Sequence, residues 1–315
     1  MRVGFIGAGG IAGRHLRSLA PEPDIEIVGH ADQSLERAEA AAERWGGRAY
    51  GSQAELLDAE SPEAVWVCVP PAFHGEVERD LIERGQPFFV EKPLANDRET
   101  PAPIAEAIAR AGLVVGVGYQ FRAMDNLPEL REVLAAKPPQ LASGVWLGST
   151  PGTAWWQRQE ISGGQIVEQA THLFDVSRFL LGEATVLSAV ATSTPRPAYP
   201  DMDVPGVTAA LLRYEGGQPG AFAVTCLLKH TATVHLDLVC DGMLITFTGE
   251  SVTYDDGTER RVVPVGNDPF LTEDRAFLAA VQAKDPSLVV CNYAEALATH
   301  RLCCDVRDAA AGGGA

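Results

Sequence analysis

The chain has 315 residues, enough for two hydrophobic cores, and carries 25 Lys plus Arg against 42 Asp plus Glu, a net charge of −17. Such an acidic balance repels phosphodiester backbones and anionic lipid faces, which argues against nucleic acid and membrane as partners. The six cysteines (Cys68, Cys226, Cys240, Cys291, Cys303, Cys304) contain no C-x-x-C spacing, so they read as buried thiols of a reduced compartment and not as metal ligands. The N-terminus turns glycine-rich before an apolar segment of secretory length builds up, and no later run has the length of a membrane span, so a cytoplasmic protein is expected.

Residues 1–118 alternate short β-branched runs with helical stretches, which predicts βαβ units and a doubly wound parallel sheet. Strands are expected at Val3–Gly7, Ile25–Ala31, Ala49–Tyr50, Ala64–Val69, Pro87–Val90 and Leu113–Val117. Helices are expected at Ile11–Leu19, Leu35–Trp45, Phe73–Arg84 and Ile104–Ala111, with Gly46, Gly47, Gly85 and Gly112 just past helix ends.

Gly7-Ala8-Gly9-Gly10-Ile11-Ala12 fits G-x-G-x-x-G/A where a strand turns into a helix, the context that marks a dinucleotide turn. Gly7 permits the tight turn, Gly9 clears a path for the pyrophosphate, and Ala12 lets helix pack on strand. The helix start at Gly10 and Ile11 supplies free N–H donors. Asp32, about 20 residues on at the end of the second strand, would accept from ribose hydroxyls and repel a 2′-phosphate, so NAD is favoured over NADP. Arg37 has two readings, a solvated helix residue or one that softens this discrimination. Glu91-Lys92-Pro93 follows the strand ending at Val90, and the carboxyl ends of such strands border the ligand crevice. Lys92 therefore reads as catalytic, beside the reactive end of a nicotinamide.

From Tyr119 the pattern changes to a helix around Leu127–Ala136, an extended run Gln140–Ser149, one helix near Gly164–Leu181, and a long β-rich stretch. Turns at Glu215-Gly216-Gly217, Asp241-Gly242 and Asp255-Asp256-Gly257 predict hairpins and hence a mainly antiparallel sheet. The second domain is placed at 119–292, a final helix Tyr293–Asp308 is expected to pack back on the first domain, and Ala309–Ala315 is expected to fray. A sheet with one helix to cover it needs another cover, so a homodimer or homotetramer through this domain is expected. Glu168, His172 and Asp175 are spaced by four and three, which on one helix puts all three on one face. A cleft facing the cofactor would hold them; the alternative is a histidine bonded to Asp175.

Together these segments resemble the glucose-fructose oxidoreductase, inositol dehydrogenase and rhizopine-catabolism (Gfo/Idh/MocA) family over nearly the whole chain. The resemblance rests on the glycine turn, Cys68-Val69-Pro70-Pro71-Ala72-Phe73-His74, Glu91-Lys92-Pro93, Tyr119-Gln120-Phe121-Arg122, and Gly163-Gly164 leading to Glu168, His172 and Asp175. It implies a Rossmann domain followed by an open α/β domain whose sheet often forms the oligomer interface, with sugars, polyols or their derivatives as substrates. It also implies that His172 is the acid or base, assisted by Lys92, in hydride transfer between a nicotinamide cofactor and a hydroxyl carbon. Val69, Pro70, His74 and Glu91 then fall beside the cofactor. Glu168 stands where many relatives carry Asp, and its extra methylene shifts the carboxylate by about 1.5 Å. Trp156 offers an aromatic wall to a sugar, with packing as the alternative, and Arg122 offers a contact to substrate oxygens or a salt bridge to an acidic neighbour. A cofactor-binding regulator and a transient-oxidation enzyme with tightly held NAD are the competing functions on the same fold.

Overall fold

In the computed structural model, which describes residues 1–312, the apolar runs of the first third form six parallel strands. They are β1 (Arg2–Ile6), β2 (Glu26–Ala31), β3 (Arg48–Tyr50), β4 (Ala64–Val67), β5 (Phe88–Val90) and β6 (Val115–Val117), ordered β3-β2-β1-β4-β5-β6. Helices α1 (Gly10–Leu19), α2 (Leu35–Trp45), α3 (Gln53–Glu60), α4 (Glu76–Glu83) and α5 (Pro101–Ala111) connect them. Every residue of β4 and β5 is buried, as in strands covered on both faces. The order reverses between β1 and β4, and ligands of open α/β sheets bind at that reversal. The sequence pattern missed α3, because its buried residues, Leu56 and Leu57, are adjacent and show no helical period.

Next come α6 (Leu127–Ala136) and β7 (Leu141–Ser149), then α7 (Gln159–Ser162), α8 (Gln165–Glu168) and α9 (Thr171–Leu181). Seven strands follow: β8 (Ala184–Thr192), β9 (Val207–Tyr214), β10 (Pro219–Leu228), β11 (Thr233–Cys240), β12 (Met243–Thr248), β13 (Ser251–Asp255) and β14 (Arg260–Pro264). The eight-stranded sheet runs β14-β13-β12-β11-β7-β10-β9-β8, antiparallel throughout except for the parallel pair β7 and β10. All three expected hairpin turns join neighbouring strands. One face of this sheet is apolar and buried, with Leu212, Phe222, Val224, Leu236, Leu238 and Phe247 at 3% exposure or less. Phe174 of α9 stacks on Phe222 with ring centroids 4.6 Å apart and planes 26° apart. Phe222 lies so close over Gly144 that a Cβ there would overlap its ring. The helix that carries His172 is thereby keyed to the sheet.

The chain ends in α10 (Pro269–Ala283) and α11 (Tyr293–Gly312). Its contacts divide it into one unit of residues 1–95, 99–123 and 268–297, and another of 96–98, 124–267 and 298 onward. Three expectations are corrected. The first unit runs past residue 118 to 123, and it includes α10, where only β-rich chain was expected. The start of α10 was legible: Asp268 caps it by accepting the Phe270 N–H at 3.0 Å, with Pro269 in the first turn. The last helix was expected to pack back on the first domain, and Tyr293–Leu297 alone belongs to that unit. From Ala298 it belongs to the second unit, where Arg178 donates to Thr299 at 2.7 Å and Thr299 to Asp175 at 2.7 Å. Ala309–Gly312, expected to fray, continue α11, and residues 313–315 lie outside the described residues. Among the described residues, no helix is long and apolar enough to cross a membrane.

Removing the Phe222 ring should leave a cavity at the junction of α9 and the sheet. Phe222→Ala is expected to lower unfolding free energy by about 3–5 kcal/mol, read from urea titration followed by circular dichroism. A loss below about 1 kcal/mol would mean the aromatic pair does not hold this junction.

Candidate active site

Gly7 turns the chain out of β1 at φ +90°, where a Cβ would overlap the Cys68 carbonyl oxygen, so only glycine fits. At Gly9 and Gly10 an added Cβ meets nothing within 4 Å, which leaves the backbone open to a ligand. The Gly13 N–H reaches back to the Gly9 carbonyl at 3.1 Å, and ahead of it Gly10, Ile11 and Ala12 present first-turn amides. Ala12 is fully buried, as close packing on the strand requires. Asp32 accepts from the Ala8 N–H at 2.9 Å and from the Ser34 N–H at 2.8 Å. Arg37, one of whose readings was a solvated residue, is exposed and also donates to Asp32 Oδ1 through Nε at 3.2 Å and Nη2 at 3.0 Å. A glycine backbone open to space, a donor-rich helix start and a carboxylate at the next strand end fit a dinucleotide.

Lys92 follows β5 half-buried, and its peptide bond to Pro93 is cis. Glu91, expected beside the cofactor, is buried. It is 3% exposed, its Oε1 is 2.9 Å from His15 Nε2, and its Oε2 accepts the Lys92 N–H at 3.2 Å. It packs against Gly118, where a Cβ would overlap the carboxylate. Glu91 therefore supports the segment from inside. Val69 and Pro70 leave β4 half-buried, next to the Cys68 carbonyl that abuts Gly7.

His74 is 7% exposed, and its Nδ1 lies 2.5 Å from Glu78 Oε1. Glu78 also accepts the Gly75 N–H, so Glu78 and not His74 caps α4. His74 Nε2 is buried without a hydrogen-bond partner among the described residues. Arg122 is 9% exposed and pairs with Glu295 at 3.5 Å, in line with the salt-bridge reading.

In the second unit, Glu168 and His172 do not share one continuous helix as their spacing suggested. Glu168 ends α8 and His172 opens α9; between them the Ala170 N–H reaches five residues back to Gln165 at 2.9 Å. Asp175 is fully buried and accepts from Thr299, so it anchors α9. Trp156, offered as a sugar wall, is 1% exposed and packs with Val204 and Cys226, so it has no face for a substrate. Its indole N–H instead donates to Glu168 Oε2 at 2.6 Å and fixes that carboxylate. Met202 and Val204, packed in the same cluster, also line a cavity of about 600 Å³.

Three residues were missed by the sequence reading. Trp146 of β7 stacks on His172 with centroids 6.4 Å apart and planes at 18°. His15 on α1 and Asp274 on α10 are fully buried and joined at 2.8 Å. A signal existed for both: His15 lies on the stripe of Ala12, Leu16 and Leu19, and Asp274 beside Phe277 and Leu278, each a polar group on an apolar helix face. Trp146 left no comparable mark.

Residues 1–119 match a family model described as an oxidoreductase family with an NAD-binding Rossmann fold, and residues 139–246 match the GFO/IDH/MocA C-terminal domain. The chain is similar to D-glucoside 3-dehydrogenase of Escherichia coli (strain K12), 28% identical over 201 residues that cover 61% of this chain and 57% of that protein. It is similar to inositol 2-dehydrogenase of Rhizobium meliloti (strain 1021), 29% identical over 210 residues, 61% of this chain and 58% of that one. The chain thus spans less than two thirds of either dehydrogenase. In fold it resembles a 3-ketoreductase from Actinomadura kijaniata in complex with NADP and TDP-benzene, with TM-score 0.86, 22% identity, and coverage of 98% of this chain and 97% of that one. With both halves matched in order, the chain belongs to the GFO/IDH/MocA family of oxidoreductases.

Proposed function

We propose that the protein is an NAD(P)-dependent oxidoreductase that transfers a hydride between a nicotinamide cofactor and a hydroxyl or keto carbon of a sugar, polyol or sugar derivative. The observation that carries this reading is Lys92 at the carboxyl end of β5, in the unit whose glycine turn fits a dinucleotide. Bound NAD(P) would supply the hydride acceptor at its nicotinamide ring. His172 takes the proton of the substrate hydroxyl in oxidation and returns it in reduction, the general acid–base role for which imidazole is the commonest side chain. The Lys92 ammonium stabilises the developing alkoxide. Glu168, fixed by the Trp156 indole, orients the substrate, and Trp146 holds the plane of the His172 ring. The named relatives that act on a glucoside and on inositol support the substrate class. A panel of aldoses, inositols, sugar acids and sugar phosphates with NAD and NADP, followed by reduced-nicotinamide absorbance, identifies the substrate.

Lys92→Ala and His172→Ala should each cut turnover by about 10²-fold or more while leaving cofactor affinity nearly intact. Near-normal turnover in His172→Ala would assign the base elsewhere, with Glu168 first in line. NAD is the preferred cofactor on this reading, because Asp32 accepts from a ribose and repels a 2′-phosphate. Arg37 partly neutralises that charge and so moderates the preference. Asp32→Ala should weaken NAD binding and relax the rejection of NADP, while Arg37→Ala should weaken NADP more than NAD. Fluorescence titration of both reduced cofactors reads this, and equal wild-type affinity for the two would overturn it.

The protein should also assemble as a homodimer or homotetramer through the second sheet. Leu187, Val190, Leu211, Leu227, Val239 and Leu244, on the strands of that sheet, are each 38% exposed or more. Such an apolar surface favours a second copy over water. Light scattering at micromolar concentration should give at least twice the monomer mass, and Leu211→Glu should reduce it. A monomeric wild type would defeat the assignment.

A further inference from the structure

Directly behind Lys92 lies a buried set of ionisable groups that the proposed mechanism does not use. His15 of α1 is fully buried, and both ring nitrogens are engaged: Nδ1 lies 2.8 and 3.0 Å from the two Asp274 oxygens, and Nε2 lies 2.9 Å from Glu91 Oε1. The Trp66 indole N–H donates to Asp274 at 2.8 Å and fixes it from β4. The far oxygen of Glu91 accepts the Lys92 N–H at 3.2 Å. Phe89 and Phe270 stand edge-on to the imidazole at 5.3 and 5.4 Å between centroids, so the bridge is walled by apolar rings. Donor atoms of His15, Glu91 and Glu273 converge within 4.8 Å of one another. Both imidazole nitrogens already face carboxylates, however, which is the arrangement of an imidazolium with two N–H donors and not of a metal ligand offering a lone pair.

Resting on the catalytic reading of Lys92, the geometry points to His15 as a positioning residue for that lysine: by bridging Asp274 and Glu91 it holds the Glu91 carboxylate against the Lys92 backbone and ties the helix that starts at the dinucleotide turn to the strand end that carries the lysine. Charge-assisted hydrogen bonds in a low-dielectric interior are short and resist bending, and loss of one partner strands a buried charge. A shift of Glu91 would pass directly to the peptide of Lys92. Small misplacements of a catalytic group are costly to turnover without being costly to binding.

Protonation supports the ionic form. Burial works against a charged His15, but Asp274 and Glu91 outweigh it and hold the imidazole well above 6.5. Of the other groups that face the bridge, Glu273 of α10 has its carboxyl pushed well up by burial, followed by the Glu91 charge. Burial and the same two carboxylates push the Cys68 thiol up, and Asp268 is paired with Arg14 at 2.6 Å. His15 binds its proton more tightly folded than unfolded. Its contribution is therefore complete below about pH 6.5 and is lost as pH rises through the folded value.

The test sets His15→Leu in the wild-type and Lys92→Ala backgrounds, assayed with whichever sugar or polyol of the panel turns over fastest. We expect kcat to fall by about 10-fold or more with NAD affinity changed less than about threefold, and the further loss in the Lys92→Ala background to be under about twofold. Equal losses in both backgrounds, or an unchanged kcat, overturn the positioning role alone. Undiminished turnover in Lys92→Ala overturns the catalytic reading and this role together. Should His15→Leu fail to fold, Asp274→Asn keeps an oxygen acceptor for His15 and Trp66 while removing the charge. It should move the alkaline limb of kcat to lower pH and speed amide exchange in residues 88–95, and a wild-type limb with wild-type exchange there overturns the proposal.

Discussion

A carboxylate taken out of water must find a partner or give up its charge, and the core of the first unit is arranged around how Glu91 meets that demand. Its neighbour in sequence is the lysine assigned to the chemistry; its neighbour in space is His15. Because His15 belongs to the helix that begins at the glycine turn, the charge requirement of one buried group links that turn to the strand end that carries Lys92. Asp274 and Trp66 complete the set from α10 and β4. The same demand explains why Glu273, next to Asp274 but without a partner for either oxygen among the described residues, has its carboxyl pushed well above the usual carboxylate range.

The second unit solves a different problem. Its sheet is buried on one face, and α9 is fastened there by Phe174 on Phe222 and by Asp175 through Thr299 and Arg178. Those anchors occupy the inward side of the helix and leave His172 at its start, flat against Trp146. Glu168 belongs to a separate short helix and is fixed by Trp156, so two side chains close in sequence are oriented by different parts of the unit. Their relative placement is a product of packing and not of a helical repeat.

Just past β2, Asp32 accepts two backbone N–H groups and an arginine at once. Its charge is thereby spread over the glycine turn and the start of α2. An exposed arginine beside a carboxylate partly offsets its charge, so the field at this strand end is set by an ion pair and not by one residue.

The doubly wound order, the glycine turn, Lys92 at a strand end, the three hairpins and the family were legible in the sequence. Each depends on local backbone requirements: a glycine at positive φ, period-two and period-three-to-four burial, turn residues between apolar runs. The inward turn of Glu91, the burial of Trp156 and Arg122, the break between Glu168 and His172, and the sharing of α11 between two units were not. Each depends on which distant segment supplies the matching donor, acceptor or apolar surface. His15 and Asp274 are separated by 259 positions and Trp66 and Asp274 by 208. Residue types and their spacing determined the elements and the chemistry on offer. Only tertiary structure decided which side chains face a ligand, because a polar side chain turns inward or outward according to partners that arrive from elsewhere in the chain.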